Sequence, residues 1–148
     1  MDALSLMVSI LSITISIIVA YVQISKNKKL NQINMNFSLY KEIYIKYFIE
    51  EIPNASSKVS FDENDKLVNY KELIDVIISL LEHNKCYEFL DNKYYNELKE
   101  IVLELEDFLL ESGNFEKCNE KRKNSINIHK NELISKLYKL SSNKFFNN

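Results

Sequence analysis

The residues best placed for chemistry in an apolar environment are four serines near the start of the chain. They repeat at steps of four, three and four residues, which places their hydroxyls in one row along a helix. Such a row on a membrane helix packs against other helices or lines a path for water and ions. The pattern fits a dry contact and a wet pore equally well. We call these residues the serine row: Ser5, Ser9, Ser12 and Ser16.

A second group of candidate residues lies in the basic end of the chain. From Phe115 to Asn148 there are eight basic and three acidic residues, a net charge of +5. Basic side chains beside aromatic rings are typical of sites for single-stranded nucleic acid or an oligonucleotide. The alternative is a solvated helix face that touches anionic lipid or the acidic middle of a neighbouring copy. The candidate ligand-binding residues are Lys121, Arg122, Lys123, Lys130 and Tyr138.

Signatures of catalysis are missing from the sequence. A chain with one glycine cannot build a glycine-rich phosphate loop, and there is no G-x-S-x-G motif. His83 and His129 have no partner at metal-ligand spacing, so we expect no metal and no cofactor. A row of carboxylates on one helix face is interpreted as solvated, because no Glu-x-x-His pair accompanies it. We therefore predict that the protein is not an enzyme. That row consists of Glu97, Glu100, Glu104, Asp107 and Glu111.

The serine row lies in a stretch, residues 3–25, that contains no charged side chain. A helix of this length spans roughly 34 Å, enough to cross a hydrocarbon core of about 30 Å. We predict an uncleaved transmembrane helix at residues 1–25, because no basic n-region and no A-x-A site accompany it. Lysines follow the stretch immediately, so the positive-inside rule predicts an N-terminus outside and a cytoplasmic C-terminal domain.

The register of the serine row continues beyond this stretch. It passes through Gln23 and Lys26, at the cytoplasmic mouth of a pore, and then through apolar and aromatic positions. A heptad pattern of this length is typical of a coiled coil, so we predict one continuous helix in which residues 26–52 are the juxtamembrane part. Two helices with a break near Asn27 are the alternative, because asparagine has low helix propensity. The predicted seam between copies consists of Leu30, Ile33, Phe37, Tyr40, Tyr44 and Tyr47.

Residues 53–148 are predicted to form a small helical bundle, which makes the fold class all-α. We expect Pro53 to end the first long helix and residues 54–65 to form a connector, with or without one short helical turn. Apolar spacing predicts three further helices. The first covers residues 70–83 and begins with a capping box at Asn69. The second covers residues 92–112, with a cap at Asp91 or Asn92 and Gly113 as its terminator. The third covers residues 125–141. Residues 84–90 should form a turn, and residues 143–148 should fray.

The remaining composition bounds the environment of the protein. From Glu50 to Glu111 sixteen acidic and six basic residues give a net charge of −10, so this middle region would repel nucleic acid. Cys86 and Cys118 lie far apart without ligand spacing, which indicates free thiols in a reducing compartment.

The layout of the chain resembles that of the membrane effectors of bacterial anti-phage defence systems. The shared features are one apolar N-terminal helix (residues 3–25), a basic flank (Lys26, Lys28 and Lys29) and a small helical domain. Within that group, the layout is similar to the tetrameric channel subunits of Hailong-type systems, which are paired with a nucleotidyltransferase making nucleic-acid signals. The resemblance implies a homo-oligomeric channel, a tetramer, in the bacterial inner membrane. It also implies gating by a nucleotide or oligonucleotide on the cytoplasmic domain and depolarisation of an infected cell.

From the residues and the resemblance together, we expect a homo-oligomeric membrane channel with a sensing domain. Two alternatives remain open. One is a membrane-tethered scaffold whose bundle recruits a cytoplasmic partner. The other is a ligand sensor that does not conduct ions.

Overall fold

The computed structural model describes the backbone of residues 3–146, and the side chains of that range except at positions 3–11, 32–33, 35–37 and 39–41. The structure is mostly helical, which confirms the all-α class. It divides into two compact units, Met1–Ser38 and Leu39–Asn148. In chain order the elements are α1 (Ala3–Leu39), a π-helix (Tyr40–Glu51), α2 (Ile52–Lys58), β1 (Ser60–Phe61), β2 (Leu67–Val68), α3 (Tyr70–His83), α4 (Tyr87–Leu90), α5 (Asn92–Gly113) and α6 (Glu120–Phe146).

The apolar side chains that the structure describes in α1, between Ser12 and Asn31, are exposed. Ile17, Ile18 and Val19 are 64%, 57% and 54% exposed. Consecutive residues of an α-helix point about 100° apart, so these three span about 200° of the circumference. All described side chains from Ser12 to Asn31 are exposed in the same way.

Within the part of the chain that the structure describes, no helix is both long enough and apolar enough to cross a membrane. The first two residues of the predicted transmembrane helix, residues 1–25, lie outside the described range. The side chains at positions 3–11 also lie outside it.

The helical backbone continues from Ala3 to Lys58 but changes type at Tyr40. The predicted break near Asn27 is absent. The last twelve residues of the predicted continuous helix, Tyr40–Glu51, form a π-helix with i→i+5 hydrogen bonds, a change of helix type that the sequence pattern did not indicate. Its wider turn changes the spacing of buried positions, and Ile43, Tyr47 and Ile52 are buried at steps of four and five. A heptad register therefore does not continue through this segment.

Pro53 lies in the first turn of α2 and does not end a helix. Proline is favoured there because its missing N–H would have no intrahelical partner anyway. The expected connector at residues 54–65 instead contains most of α2 and the first strand of a hairpin. Phe61 of β1 lies opposite Leu67 of β2, and the Asp62 carboxylate accepts the backbone N–H groups of Asn64 and Lys66 within the turn.

Helices α3 and α5 begin close to their predicted positions. Asp91 caps α5, because its Oδ1 accepts the Tyr94 N–H at 3.1 Å, as predicted. Asn69 precedes α3, but it adopts a left-handed conformation (φ 61°) and its side chain makes no capping bond, so the predicted capping box is wrong. Asparagine tolerates this conformation better than most residues. The predicted turn before Asp91 contains the short helix α4.

Gly113 has a role in packing that differs from the predicted one. It is the last residue of α5 and has no positive φ, so it is not a left-handed terminator. A Cβ atom at this position would meet the Tyr70 ring. Glycine is therefore needed because α5 approaches the start of α3 closely.

Helix α6 is longer than predicted at both ends. The Asn119 side chain accepts the Arg122 N–H at 2.9 Å and caps its start. Near its end, Lys144 Nζ donates to Asp91 Oδ2 at 2.6 Å, so residues 143–146 remain helical where fraying was expected. Residues 147–148 lie outside the described range. Helix α6 packs mainly against α5, and α5 also packs against α3. The fully buried side chains of this bundle include Leu73, Ile77, Leu80, Leu98, Leu105, Leu109, Leu133 and Leu137.

Candidate functional site

A cleft of about 560 Å³ lies between α2 and α6 in the second unit. Its volume is in the range of small-molecule sites, which is about 300–1,000 Å³. Each helix contributes one face, with positions four or five residues apart on the same side. We call it the Lys130 cleft. Its lining residues are Ile52, Pro53, Ser56, Ser57, Lys130, Asn131, Ile134, Ser135 and Tyr138.

Among the described residues, Lys130 is the only charged side chain that lines this cleft, and it is 6% exposed. Its Nζ donates one hydrogen bond, of 3.2 Å, to the Ser56 carbonyl on α2. No carboxylate forms an ion pair with Lys130 among the residues that the structure describes. Burial lowers the pKa of the Lys130 ammonium below its usual value. The cleft therefore contains a desolvated cation with two unused donor hydrogens.

Neutral donors surround this ammonium group. The hydroxyls of Ser56 and Ser135 and the amide of Asn131 line the cleft, and none of them makes a side-chain hydrogen bond within the described part of the chain. The Ser57 hydroxyl, by contrast, donates to the Asn54 carbonyl at 2.7 Å. Since no carboxylate lines the cleft, its hydrogen-bonding groups suit an anionic ligand.

Tyr138 supplies an aromatic wall of the cleft. Its hydroxyl donates to the Phe48 carbonyl, and its ring meets the Phe48 ring edge-on at 5.2 Å. Burial raises the pKa of the Tyr138 phenol, so the group stays neutral at physiological pH. The ring is held in place by these contacts, while its hydroxyl proton is already in use.

The structure brings together only two of the five candidate ligand-binding residues, Lys130 and Tyr138. Lys123 Nζ lies 2.7 Å from Asp65 Oδ1 and 2.8 Å from Glu120 Oε1, and these hydrogen bonds raise the Lys123 pKa. The hydrogen bond from Lys123 lowers the pKa of the Asp65 carboxyl.

The other two candidates also lie at the start of α6, away from the cleft. The Arg122 guanidinium stacks on the Phe115 ring, 4.4 Å from its centroid. Lys121 is exposed. The predicted basic cluster therefore divides into a surface group at residues 121–123 and the cleft group.

The serine row lies partly outside the described side chains. Ser5 and Ser9 are in that undescribed part, whereas Ser12 and Ser16 are exposed. The Ser16 hydroxyl donates to the Ser12 carbonyl at 2.8 Å, a bond within one turn of the same helix. Gln23 and Lys26 are exposed on the same unit.

The residues of the predicted seam between copies have different surroundings in the structure. Leu30 is 56% exposed, and the side chains of Ile33, Phe37 and Tyr40 lie outside the described set. Tyr44 stacks on Phe48 in the second unit, with ring centroids 5.3 Å apart.

Tyr47 is fully buried in its own chain. Its hydroxyl lies 2.8 Å from both Ser79 Oγ and His83 Nδ1. The structure thus places Tyr44 and Tyr47 in contacts within one chain, where the sequence had suggested contacts between copies.

Sequence reasoning missed the α2 side of the cleft. Ser56 and Ser57 fell in a segment interpreted as a connector, although Pro53 at a helix start was an available signal. Asn131 and Ser135 also went unnoticed. Lys130, Ile134 and Tyr138 repeat every four residues, which places them on one helix face together.

The other candidate groups carry no visible site. No group of acidic, histidine or cysteine side chains that could hold a metal ion is present in the described part of the chain. Cys86 is exposed and Cys118 is buried, and both are free thiols. Glu104 lies 3.8 Å from Lys136, and Glu97 lies 3.9 Å from Lys93. No family model, no curated protein and no solved structure matches this chain.

Proposed function

We propose that the protein is a homo-oligomeric membrane channel whose helical domain senses an anionic signal. The observation that carries the proposal is the exposure of apolar side chains around α1, with Ile13, Ile15 and Ile24 each more than half exposed. Contiguous apolar surface of this kind is typically covered by lipid or by another protein chain. The absence of charge from residues 3–25 supports lipid as the main cover.

The serine row supplies the contact between copies in this proposal. The Ser16 hydroxyl donates its proton to the Ser12 carbonyl, so it presents oxygen lone pairs outward. With three or more copies around an axis, oxygen atoms on each helix would line a narrow polar path. We favour a tetramer, with Lys26 forming a ring of positive charge at the cytoplasmic end.

Gating requires a ligand that binds the open and closed packings with different affinity. The Lys130 cleft is the best candidate for the sensing site, since it combines a buried cation with neutral donors. The proposed partners are the bilayer, other copies of the chain, and a nucleotide or oligonucleotide signal made by a nucleotidyltransferase. The proposed location is the bacterial inner membrane with the second unit in the cytoplasm.

Ion flux through liposomes containing the purified protein tests the channel. Ser12→Leu places an apolar side chain in the serine row, and we expect flux to fall to background because a hydrophobic constriction dewets. Thr14→Leu is the matched control. It also replaces one hydroxyl by leucine in the same helix, but at about 200° from Ser12, outside the row.

Equal flux in the two variants would contradict a pore along the serine row. Oligomer size, measured in detergent by light scattering, gives a second criterion. A closed ring of four or more copies is expected, and a monomer would remove the basis for conduction.

The alternative is a membrane-tethered scaffold that recruits a cytoplasmic protein. One observation favours it: Phe89 and Leu90, the last two residues of α4, are 87% and 63% exposed. Under this alternative the purified protein is a dimer without ion flux, and Phe89→Ser releases the partner while leaving the dimer intact.

A further inference from the structure

We propose that the Lys130 cleft binds the phosphate group of a small organic phosphate monoester, with the organic part against the apolar wall of Ile134 and the Tyr138 ring. Because it names the ligand of the sensing domain, the inference rests on the proposed function for its biological role. Binding itself rests on the cleft alone and can be tested separately.

The charge in the cleft is the first argument. Lys130 is buried as a residue, with 6% of its surface exposed, and a charge removed from water in this way normally has a carboxylate partner because a buried unpaired charge is costly. Lys130 has only the Ser56 carbonyl, at 3.2 Å, and no ion-pair partner among the described residues. A bound anion would provide the missing counter-charge.

The donor set is the second argument. Besides the ammonium, the cleft offers the hydroxyls of Ser56 and Ser135 and the amide of Asn131, none of them bonded through its side chain within the described range. These donors come from two helices, Ser56 from α2 and the other two from α6. A phosphate monoester has three terminal oxygens that can accept from several directions, which suits this arrangement better than a planar carboxylate.

The size of the cleft is the third argument. At about 560 Å³ it has room for more than an inorganic ion. The Ile134 side chain and the Tyr138 ring provide apolar surface beside the donors, and the Tyr138 hydroxyl is held by the Phe48 carbonyl. An organic group attached to the phosphate would cover that surface.

Isothermal titration of the full-length protein in detergent tests the proposal, with phenyl phosphate as the probe. Lys130→Met keeps an unbranched side chain of related shape and removes the charge. We expect it to weaken binding about ten- to a hundredfold, the effect of losing a hydrogen bond to a charged group. Lys121→Met is the matched control, because it removes one exposed charge from the same helix.

Further measurements keep the test decisive if Lys130→Met folds poorly. Asn131→Ala and Ser135→Ala change exposed side chains and should each weaken binding about two- to tenfold. Inorganic phosphate should bind more weakly than phenyl phosphate, because it leaves the apolar wall uncovered.

The source of the phosphate is distinguished by a second probe. Micelles of short-chain phosphatidic acid present the same monoester as a lipid headgroup. If they bind in a Lys130-dependent way and phenyl phosphate does not, the ligand is a lipid headgroup; the reverse result indicates a soluble ester.

The proposal is overturned if neither probe binds saturably, or if the Lys130, Asn131 and Ser135 variants all bind as the wild type does. Binding is measured without ion flux. The channel can therefore fail while phosphate binding holds, and phosphate binding can fail while flux remains.

Discussion

Isoleucine has opposite surroundings in the two units of this protein. In the first unit Ile17 and Ile18 are 64% and 57% exposed, whereas in the second unit Ile52 and Ile77 are fully buried. The side chains are chemically identical, so hydrophobicity alone does not decide their burial. The arrangement of their neighbours along the helix does.

Apolar residues surround α1 on all sides between Ile13 and Ile24, so a contact with a single neighbouring helix would cover only part of them. In α3 and α5 the apolar residues form one face, and that face packs against other helices of the same unit. The comparison teaches that an amphipathic pattern lets a chain cover its own apolar surface. An all-round pattern requires an external cover.

The largest expected difference between the units concerns removal of apolar volume. Leu105→Ala leaves a cavity in the bundle core and should lower the free energy of unfolding by about 2–5 kcal/mol. Ile18→Ala removes an exposed side chain and should change it by less than about 0.5 kcal/mol. Near-UV circular dichroism of the buried tyrosines during urea unfolding measures both. Similar losses for the two variants would contradict the division into a covered and an uncovered unit.

A charge introduced at matched exposed positions tests what covers the first unit. Ile18 and Ile49 are 57% and 58% exposed, but they belong to different units. Ile18→Lys should weaken membrane retention by about 2.5–3.5 kcal/mol, the cost of lysine at the centre of a membrane helix. Ile49→Lys should leave retention unchanged. Flotation of the two variants with liposomes measures this difference, and equal retention would exclude lipid as the cover of α1.

The close packing of the second unit is tested at its one glycine. Gly113→Ala places a methyl group against the Tyr70 ring and should cost about 1–3 kcal/mol of unfolding free energy. Combining it with Tyr70→Ala should recover part of that loss, because the clashing ring is gone. A double-mutant cycle measures the recovery. Additive losses would show that the contact is not the cause.

The smallest effect concerns the buried cation of the second unit. The Lys130 pKa is lowered in the folded protein, so at pH values between that lowered pKa and the usual lysine value of 10.5 the unfolded chain binds more protons. The contribution of Lys130 to the free energy of unfolding therefore rises with pH between these two values. Lys130→Met should reduce the rise, as measured by urea unfolding at several pH values. Lys121→Met is the control.

Ionisation of buried tyrosines also changes the free energy of unfolding in this pH range, so the tyrosine contribution must be subtracted. Burial raises the pKa of Tyr87 to about 12, so its contribution lowers stability as the pH rises above about 10. This contribution is common to wild type and variant. A steeper rise in Lys130→Met than in wild type would contradict the assigned burial of Lys130.

Much of the second unit could be predicted from local pattern. The spacing of Leu73, Ile77 and Leu80 predicts α3, and Asp91 before a helical pattern predicts the start of α5. These signals lie within a few turns of the residues they position, so the sequence contains them directly.

The candidate site could be predicted only in part. Lys130 and Tyr138 stand out as a cation and an aromatic residue on one helix face. Their partners do not, because Ser56 is 74 residues from Lys130 and Phe48 is 90 residues from Tyr138. No local pattern reports such contacts, which arise because the π-helix packs against α6 and α2 lines the same cleft as α6.

The sequence by itself determined the helical class, the charge-free stretch and the amphipathic faces, since these depend on residue type and on spacing within a few turns. Tertiary structure alone decided that Tyr47 is buried in its own chain, that Gly113 makes room for Tyr70, and that Lys130 faces the α2 serines. Burial and hydrogen bonding between distant segments depend on how complete helices pack, and many packings are compatible with the same local pattern.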